Sequence, residues 1–159
     1  MEPAETEPAA TQMKAAKPEL VISVFPNTPV SLGLLCDFVS RFPPFSTFEF
    51  RQMATALRYQ LDAQSHLVAG LDDRIVGYIG WIRTTRAIAE RWSTGNGPLT
   101  AMTEAVDAVA ATILVTENSK YALPLVRAAK TRNRDYSVYW KRQFLDGRVS
   151  VKRNVRKKA

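Results

Sequence analysis

The chain has 159 residues, a formal net charge of +7 and 46% apolar residues, which suits one domain with a moderate hydrophobic core. No apolar run is long enough to cross a membrane, and the first 17 residues lack the basic-then-apolar order of a secretion signal. We therefore expect a cytoplasmic protein without a membrane span.

The sequence contains one cysteine and one histidine, Cys36 and His66. A single cysteine cannot form an internal disulfide, and one cysteine with one histidine cannot supply the usual ligands of zinc, so we expect no metal site. Cys36 lies in an apolar helical run, where a small buried side chain is a more common role than a nucleophile.

The positive charge is concentrated towards the C-terminus. From Lys120 onward the chain carries 13 of its 22 Lys and Arg residues but two of its 15 Asp and Glu residues, so this part has a net charge of +11 and the remainder about −4. Such an asymmetry indicates an acidic partner. For Lys152 to Ala159, a solvated tail that aids solubility explains the charge equally well.

The sequence of the N-terminal third predicts a disordered segment, then a strand and then a helix. Residues 1–17 are rich in Pro, Ala, Glu and Thr and are expected to be disordered. The run from Leu20 to Phe25 has the β-branched content of a short strand, which ends at Pro26. The first helix is predicted between Val30 and Phe42, before Pro43-Pro44. Its apolar residues recur at intervals of three and four: Leu32, Leu35, Phe38, Val39 and Phe42.

A second helix is predicted from about Ser46 to Ala63. Ser46 and Glu49 have the spacing of a capping box, in which two side chains satisfy free backbone N–H groups at the start of a helix. The predicted buried stripe consists of Phe50, Met53, Leu57 and Leu61.

The next stretch predicts a β-hairpin with strands Leu67–Leu71 and Ile75–Ile82 around a turn at Asp72 and Asp73. The second strand is apolar on both faces apart from a tyrosine hydroxyl, which indicates a central strand covered by helices. Gly77 and Gly80 leave gaps along it, where a ligand or another backbone could come close.

The rest of the chain predicts alternating helices and strands. In order, they are a short helix at Thr84–Trp92, a loop at Ser93–Pro98, a helical turn at Thr100–Val106, a buried strand at Ala108–Thr116, a helix at Lys120–Thr131 and a strand at Tyr136–Phe144. The helix at Lys120–Thr131 is expected to cover the sheet with Leu123, Val126 and either Ala129 or Lys130. Asp146-Gly147 then turns the chain into the basic tail.

This order predicts an α/β fold, an α+β sandwich with one mostly antiparallel central sheet and helices on both faces. The expected organisation is a disordered segment at 1–17, a single domain at 18–150 and a basic tail at 151–159. The order is similar to that of the GNAT acetyltransferase fold. The sequence has no Arg/Gln-x-x-Gly-x-Gly/Ala loop for a pyrophosphate, so we do not expect bound coenzyme A.

Six runs between Leu32 and Ser150 carry a more specific resemblance. They are LGLLCDFVSRFPPF, HLVAGLDDRIVGYIGW, RWSTGN, AVAATILVT, KYALPLVRAAKTR and YWKRQFLDGRVS. Their order and spacing resemble the lysine acyltransferases that activate RTX toxins. The resemblance implies a GNAT-like fold and a cytoplasmic enzyme, often dimeric, that moves a fatty acyl chain from acyl carrier protein to lysines of an RTX-like protoxin. Acyl carrier protein is acidic, which suits the basic C-terminal third.

The same resemblance implies a catalytic histidine and aspartate, whose positions fall at Phe45 and Ala111 in this chain. Neither side chain can move a proton, which leaves the enzymatic activity open. Ser46 and His66 are the remaining candidates for a catalytic role. We expect Ser46 to cap a helix and His66 to have a structural role at a strand start.

Two groups of residues are candidates for binding. Those for an acyl groove are Tyr78, Trp81, Trp92, Gly95 and Asn96, although aromatic residues in an apolar strand are often core residues. Those for binding the carrier protein are Arg127, Lys130, Lys141, Arg142 and Arg148.

Two other functions remain open from the sequence. The first is a GNAT-like module without catalysis that binds acyl carrier protein, an acyl chain or a protein partner. The second is a basic nucleic-acid-associated protein, in which Tyr139 and Trp140 would stack on bases beside Lys141 and Arg142. A single aromatic-basic cluster is weak support, so we rank nucleic-acid binding below carrier or protein binding.

Overall fold

A computed structural model describes residues 16–143 and 149–154. Most of the segment 1–17, which is expected to be disordered, lies outside these residues, as does the predicted turn at Asp146-Gly147. The strands are β1 (Val21–Ser23), β2 (His66–Leu71), β3 (Arg74–Thr84), β4 (Ala108–Thr116), β5 (Ser137–Gln143) and β6 (Val149–Asn154). The helices are α1 (Pro29–Val39), α2 (Phe50–Asp62), α3 (Arg86–Ser93) and α4 (Ala122–Arg132), with 3₁₀ turns at Phe45–Thr47 and Ser119–Tyr121.

The six strands form one sheet in the order β1-β2-β3-β4-β5-β6. Every neighbouring pair is antiparallel except β4 and β5, which are parallel and joined by the crossover helix α4. Helices lie against both faces. The α/β architecture predicted from the sequence, with a mostly antiparallel sheet between helices, is therefore confirmed.

The central hairpin is also confirmed. Asp72 and Asp73 join β2 to β3 with φ values of 50° and 60°. Positive φ at both central residues is what a two-residue type I′ turn requires, and short acidic side chains tolerate it. Opposite the Ala69–Gly70 step, β3 carries an extra residue at Val76, because Ala69 pairs with Gly77 and Gly70 with Ile75.

Helices α1 and α2 cover one face of the sheet. The core on this side consists of Leu35, Phe38, Val39, Met53, Leu57, Leu61, Val68, Tyr78, Ile113 and Val115. Helix α4 covers the other face with a core of Leu67, Ala69, Val76, Ile79, Trp81, Val109, Leu125 and Ala129. Helix α3 packs near Ala108 and Tyr139. The two apolar faces explain why β3 is apolar on both sides.

The start of α2 differs from the prediction. The helix begins at Phe50, and the side chain at its N-terminal cap, Glu49, makes no capping hydrogen bond. Ser46 instead lies inside the 3₁₀ turn, where the rings of Phe45 and Phe48 pack edge to face. The extended backbone of Phe48, with φ −73° and ψ 147°, separates the turn from the helix, so the capping box is wrong. Phe50 is 75% exposed, whereas Met53, Leu57 and Leu61 are buried as predicted.

Three expectations for the C-terminal half are corrected. Residues 100–106 form no helix; the backbone is tied to the end of β3 by the Met102 N–H, which donates to the Arg83 carbonyl, and Ala105 has a φ of 53°. Helix α4 buries Leu125 in place of the predicted Leu123, which is 55% exposed, while the predicted Val126 and Ala129 do pack against the sheet. Finally, Val149–Asn154 pairs with β5 as a strand, so the expected boundary at 150 falls inside β6.

No helix among the described residues has both the length and the apolar character needed to cross a bilayer.

Candidate functional site

The parallel pair β4–β5 is short. Only Ala108–Ala111 of β4 pairs with β5, through Ser137–Trp140. Beyond Ala111 and Trp140, β4 continues beside β3 while β5 continues beside β6. The two strands therefore separate in the middle of the sheet, and we call this gap the β4–β5 opening.

A β-bulge marks the point of separation. Gly80 of β3 pairs with Ile113 and Trp81 pairs with Ala111, so Thr112 of β4 has no partner on β3. A bulge bends its strand and increases the local twist. The bulge at Thr112 thus turns the second half of β4 away from the line of the first half, at the residue where pairing with β5 ends.

A buried amide holds this bulge. The Gln60 side chain is fully buried; its Nε2 donates to Thr112 Oγ1 at 2.8 Å, and the Tyr78 hydroxyl donates to Gln60 Oε1 at 2.6 Å. A Cβ on Gly80 would lie 2.1 Å from Gln60 Oε1. The gap that the sequence predicts at Gly80 is therefore filled by this amide, and the gap at Gly77 is filled by Leu125.

Gln60 is absent from the residues predicted from the sequence. It lies on the buried stripe of α2, three residues after Leu57 and next to Leu61. A polar residue on an apolar stripe was the available signal. Burial raises the pKa of Tyr78 far above its ordinary value, so its hydroxyl stays neutral and keeps donating to the amide.

His66 is fully buried, and both ring nitrogens are engaged by backbone groups. The Phe25 N–H donates to Nε2 at 3.0 Å, so the proton sits on Nδ1, which donates to the Gln60 carbonyl at 3.0 Å. Burial lowers the pKa of His66, and the hydrogen bond to Gln60 offsets part of that effect. Neutral His66 therefore ties the segment after β1 and the end of α2 to β2, and this geometry favours a structural role over that of a general base.

Ser46 and Phe45 lie in the turn between α1 and α2. Ser46 is exposed, and its N–H donates to the Phe42 carbonyl. Phe45 packs partly buried against the α1–α2 core. The described residues also contain no group of three or more His, Cys, Asp or Glu side chains that could hold a metal ion.

Ala111, where the sequence resemblance places a catalytic aspartate, lies at the β4–β5 opening between two tryptophans. It is in register with Trp81 on β3 and with Trp140 on β5. The three side chains line one small cavity between the sheet and α4, together with Lys130 and Asn133 among others. Its volume is about 10 Å³, room for one water-sized group but not for an acyl chain.

The residues predicted to form an acyl groove do not share one cavity. Tyr78 packs in the core under α1 and α2, whereas Trp81 packs on the opposite face under α4. Trp92 is half-buried on α3, followed by exposed Gly95, with a φ of 79°, and exposed Asn96. Of the predicted set, only Trp81 lines the cavity at the β4–β5 opening.

The predicted carrier-binding residues lie around β5 and α4. Arg127 is exposed on α4; the Lys130 ammonium lies over the Trp140 ring at 5.5 Å and the Lys141 ammonium over the Trp92 ring at 5.8 Å. Arg142 belongs to β5, and Arg148 lies outside the described residues.

Stacking of bases on the predicted aromatic-basic cluster is not supported by the geometry. Tyr139 is buried beneath α3 and Trp140 is half-buried beneath Lys130. Neither ring presents the open face that a stacked base needs.

The segment between β4 and α4, residues 117–121, does not fit a coenzyme A pyrophosphate. It has no glycine, and its first residue, Glu117, places a carboxylate there, paired with Arg74 at 2.5 Å. The Asn118 side chain already accepts the Lys120 N–H at 3.0 Å. A pyrophosphate requires close approach to free backbone N–H groups, so this segment offers no such cradle.

A larger groove of about 580 Å³ lies between the start of α1 and the second half of α2. It is lined by Asn27, Thr28, Pro29, Leu32, Thr55, Arg58, Tyr59 and Asp62. None of the residues predicted from the sequence to form a site lines this groove.

Comparison with solved structures supports the GNAT-like fold. An aminoglycoside 6'-N-acetyltransferase complexed with coenzyme A matches with a TM-score of 0.51 and 19% identity, over 76% of this chain and 61% of that one. A GNAT family acetyltransferase from Brucella melitensis in complex with acetyl-CoA matches with 0.51 and 11%, over 80% and 78%. The loading GNATL domain of CurA from Lyngbya majuscula matches with 0.54 and 11%, over 79% and 65%.

At these identities the similarity establishes the fold alone. The chain spans about three fifths of the aminoglycoside enzyme that it matches. No protein-family model matches the chain, and no curated protein matches its sequence. The protein thus has the α/β fold of the GNAT acetyltransferases.

Proposed function

We propose that this protein transfers a fatty acyl group from acyl carrier protein to a lysine side chain of a protein substrate. The observation that supports the proposal most is the four-residue β4–β5 ladder, which ends at Ala111 and Trp140. An opened sheet with a bulge at its edge provides unpaired backbone groups beside which an extended thioester arm can lie. The GNAT-like fold supports the same class of reaction.

The choice of donor rests on the segment after β4 and on charge. Residues 117–121 lack a cradle for the pyrophosphate of coenzyme A, whereas a carrier protein presents its acyl group on a phosphopantetheine arm without that pyrophosphate. Arg127, Lys130 and Lys141 place positive charge on the elements that flank the opening. Acyl carrier protein is acidic, so attraction between the two surfaces would speed their association.

The transfer itself forms one bond and breaks another. The neutral lysine amine attacks the carbonyl carbon of the thioester, a C–N bond forms, and the C–S bond breaks. The carrier sulfur leaves as a thiolate and takes the proton that the nitrogen loses, giving a thiol and an amide. Phe45 and Ala111 cannot assist this proton transfer, so we expect a rate about 10²- to 10⁴-fold below that of an enzyme with a positioned base.

The acceptor follows from the sequence resemblance. Toxin-activating acyltransferases modify lysines of RTX protoxins, so an RTX-like protein is the acceptor that we propose. A homodimer, common in that family, belongs to the same proposal, because a second subunit could supply a proton acceptor.

The test is incubation of the purified protein with acyl carrier protein that carries a radiolabelled fatty acid, with an RTX-repeat protein as acceptor. We expect label on the acceptor that resists hydroxylamine, because an amide survives that treatment and a thioester does not. An acceptor with its lysines changed to arginine is the control and should remain unlabelled. Absence of transfer would overturn the proposal, whether or not a complex with the carrier forms.

Charge-reversal variants test the carrier surface. Arg127→Glu on α4 should weaken the complex with acyl carrier protein, while Arg51→Glu, an equal charge change at an exposed site of α2, should not. Equal affinities of the two variants for acyl carrier protein would show that α4 is not part of the docking surface.

A second candidate function is binding of an acyl carrier protein without transfer. The lack of a titratable side chain at positions 45 and 111 favours it, as does the engagement of both His66 ring nitrogens by the backbone. A stable complex that leaves the labelled acyl group on the carrier would support this alternative over the first.

A further inference from the structure

Two hydrogen-bond donors are buried without an acceptor at the β4–β5 opening. The indole Nε1 atoms of Trp81 and Trp140 are inaccessible to solvent, and neither has a hydrogen-bond partner in the described part of the chain. Trp81 as a whole is 2% exposed. Buried donors without partners are rare in folded proteins, since each has lost its hydrogen bond to water.

The two donors belong to one site. Trp81 and Trp140 flank Ala111 on adjacent strands, and both indoles line the cavity of about 10 Å³. Lys130 lines the same cavity, and its ammonium lies 5.5 Å from the centre of the Trp140 ring. Asn133 is the other polar residue of the lining, and its Nδ2 donates to the Ala129 carbonyl at 2.9 Å; apolar residues, with Ile79 and Val109 among them, form the remaining walls. The site therefore brings two indoles with unpaired N–H groups and a lysine to the wall of a space for one oxygen atom.

The location of the cavity indicates how an oxygen could reach it. Ala111 and Trp140 form the last pair of the β4–β5 ladder, so the cavity adjoins the point where the strands separate. The side chain of Ala111 at this point is a methyl group, which can neither donate nor accept a hydrogen bond. Among the described residues, the two indole N–H groups thus have no acceptor beside the place where an extended ligand would enter the sheet.

We propose that the indole N–H groups of Trp81 and Trp140 donate to the carbonyl oxygen of the acyl thioester. This inference rests on the proposed function and names the groups that hold the reacting carbonyl. The oxygen gains negative charge when the amine attacks the carbonyl carbon, and two fixed donors with Lys130 nearby stabilise that charge better than they stabilise the ground state. The cavity admits the oxygen alone, so the acyl chain lies in the opening.

The test uses the indole signals of the folded protein, independent of any turnover. The chain has three tryptophans, so ¹⁵N labelling gives three indole N–H resonances, assigned with Trp81→Phe, Trp92→Phe and Trp140→Phe. The probe is S-butyryl-pantetheine, and its control is the thioether in which the carbonyl is replaced by CH₂. We expect the thioester to move the Trp81 and Trp140 signals downfield and to leave that of Trp92 in place.

The affinities give a second readout. The thioether lacks the carbonyl oxygen that would accept both hydrogen bonds, so its affinity should be lower than that of the thioester by about tenfold or more. Trp140→Phe should reduce that preference, and since Trp140 is half-buried this variant stays informative if Trp81→Phe fails to fold. Equal binding of the two probes, unmoved indole signals, or no binding of either probe would overturn the assignment.

A free carboxylate offers the same oxygen chemistry, so sodium formate is added in a separate titration. Indole shifts with formate but not with S-butyryl-pantetheine would assign the site to a small anion and overturn the thioester role. Failure of this inference can be distinguished from failure of the proposed function. If Trp140→Phe transferred labelled acyl groups at the unchanged rate, the proposed function would stand and the indoles would have no part in it.

Discussion

The two faces of the sheet treat buried polar groups in opposite ways. Under α1 and α2, the amide of Gln60, the Tyr78 hydroxyl and the Thr112 hydroxyl satisfy one another. Under α4, the indole N–H groups of Trp81 and Trp140 are buried beside a cavity and have no hydrogen-bond partner among the described residues. A satisfied network fixes a single arrangement, whereas unsatisfied donors lower stability unless something binds them. The first face therefore shapes the opening, and the second face is suited to receive a ligand.

Among the substitutions that test this difference between the two faces, Gly80→Ala is expected to change the stability most. The new Cβ would overlap the Gln60 amide and force it out of its network, leaving Tyr78 and Thr112 without their partner. We expect a loss of about 2–4 kcal/mol in the free energy of unfolding, measured with urea.

Gly33→Ala is the matched control for that substitution. Gly33 lies in α1, and a Cβ there would meet no atom within 4 Å. The same chemical change should stabilise the protein by about 0.5–1 kcal/mol, because alanine favours a helix over glycine. A similar loss of unfolding free energy in both variants would show that the hydrogen-bond network around Gln60 is not what makes Gly80 sensitive to substitution.

A smaller effect is expected from pH. The pKa of His66 is lower in the folded protein than the ordinary value of 6.5, so the unfolded chain binds a proton more readily. Stability from this residue is present above the unfolded pKa and is lost as pH falls below it, by at most about 1.4 kcal/mol per pH unit.

The measurement is the urea midpoint at several pH values between 7.5 and 5.5. His66→Gln removes the histidine and should flatten the dependence in this window, at the cost of a lower midpoint at pH 7.5. An unchanged slope in the variant would assign the pH dependence to other groups.

The smallest change in stability is expected from Ala111→Ser on the second face. A serine hydroxyl at this position would place one oxygen between the indoles of Trp81 and Trp140 and accept a hydrogen bond from them. We expect a gain of less than about 1 kcal/mol in unfolding free energy together with about tenfold weaker binding of S-butyryl-pantetheine. Unchanged binding would contradict an oxygen site at Ala111.

Much of the architecture could be predicted from hydrophobic periodicity. The helix with Leu35, Phe38 and Val39, the hairpin at Asp72-Asp73 and the strand Ala108–Thr116 lie where the pattern places them. These elements bury regular apolar stripes against a layer, which is the information that periodicity carries. The predicted start of α2 was wrong because Phe45–Thr47 forms a separate 3₁₀ turn and Phe48 is extended, a break that the spacing of Ser46 and Glu49 does not encode.

The candidate site was less predictable. The sequence indicated Trp81 and Ala111 but not Gln60 or the role of Trp140 as the last partner of Ala111. Those depend on a bulge at Thr112 and on the register between two strands joined by α4, both of which are set by tertiary packing. The groove expected from Tyr78, Trp81 and Trp92 failed for the same reason, since neighbouring aromatic residues along a chain can face different layers.

In the part of the chain that the structure describes, three lysine ammonium groups lie over aromatic rings: Lys120 over Tyr121 at 5.0 Å, Lys130 over Trp140 at 5.5 Å and Lys141 over Trp92 at 5.8 Å. A ring orders an ammonium group without cancelling its charge, as a carboxylate would. These lysine side chains are therefore ordered, yet their positive charge still acts on molecules at a distance from the surface. Encounters with a polyanionic partner should accelerate in dilute buffer and slow steeply as ionic strength rises.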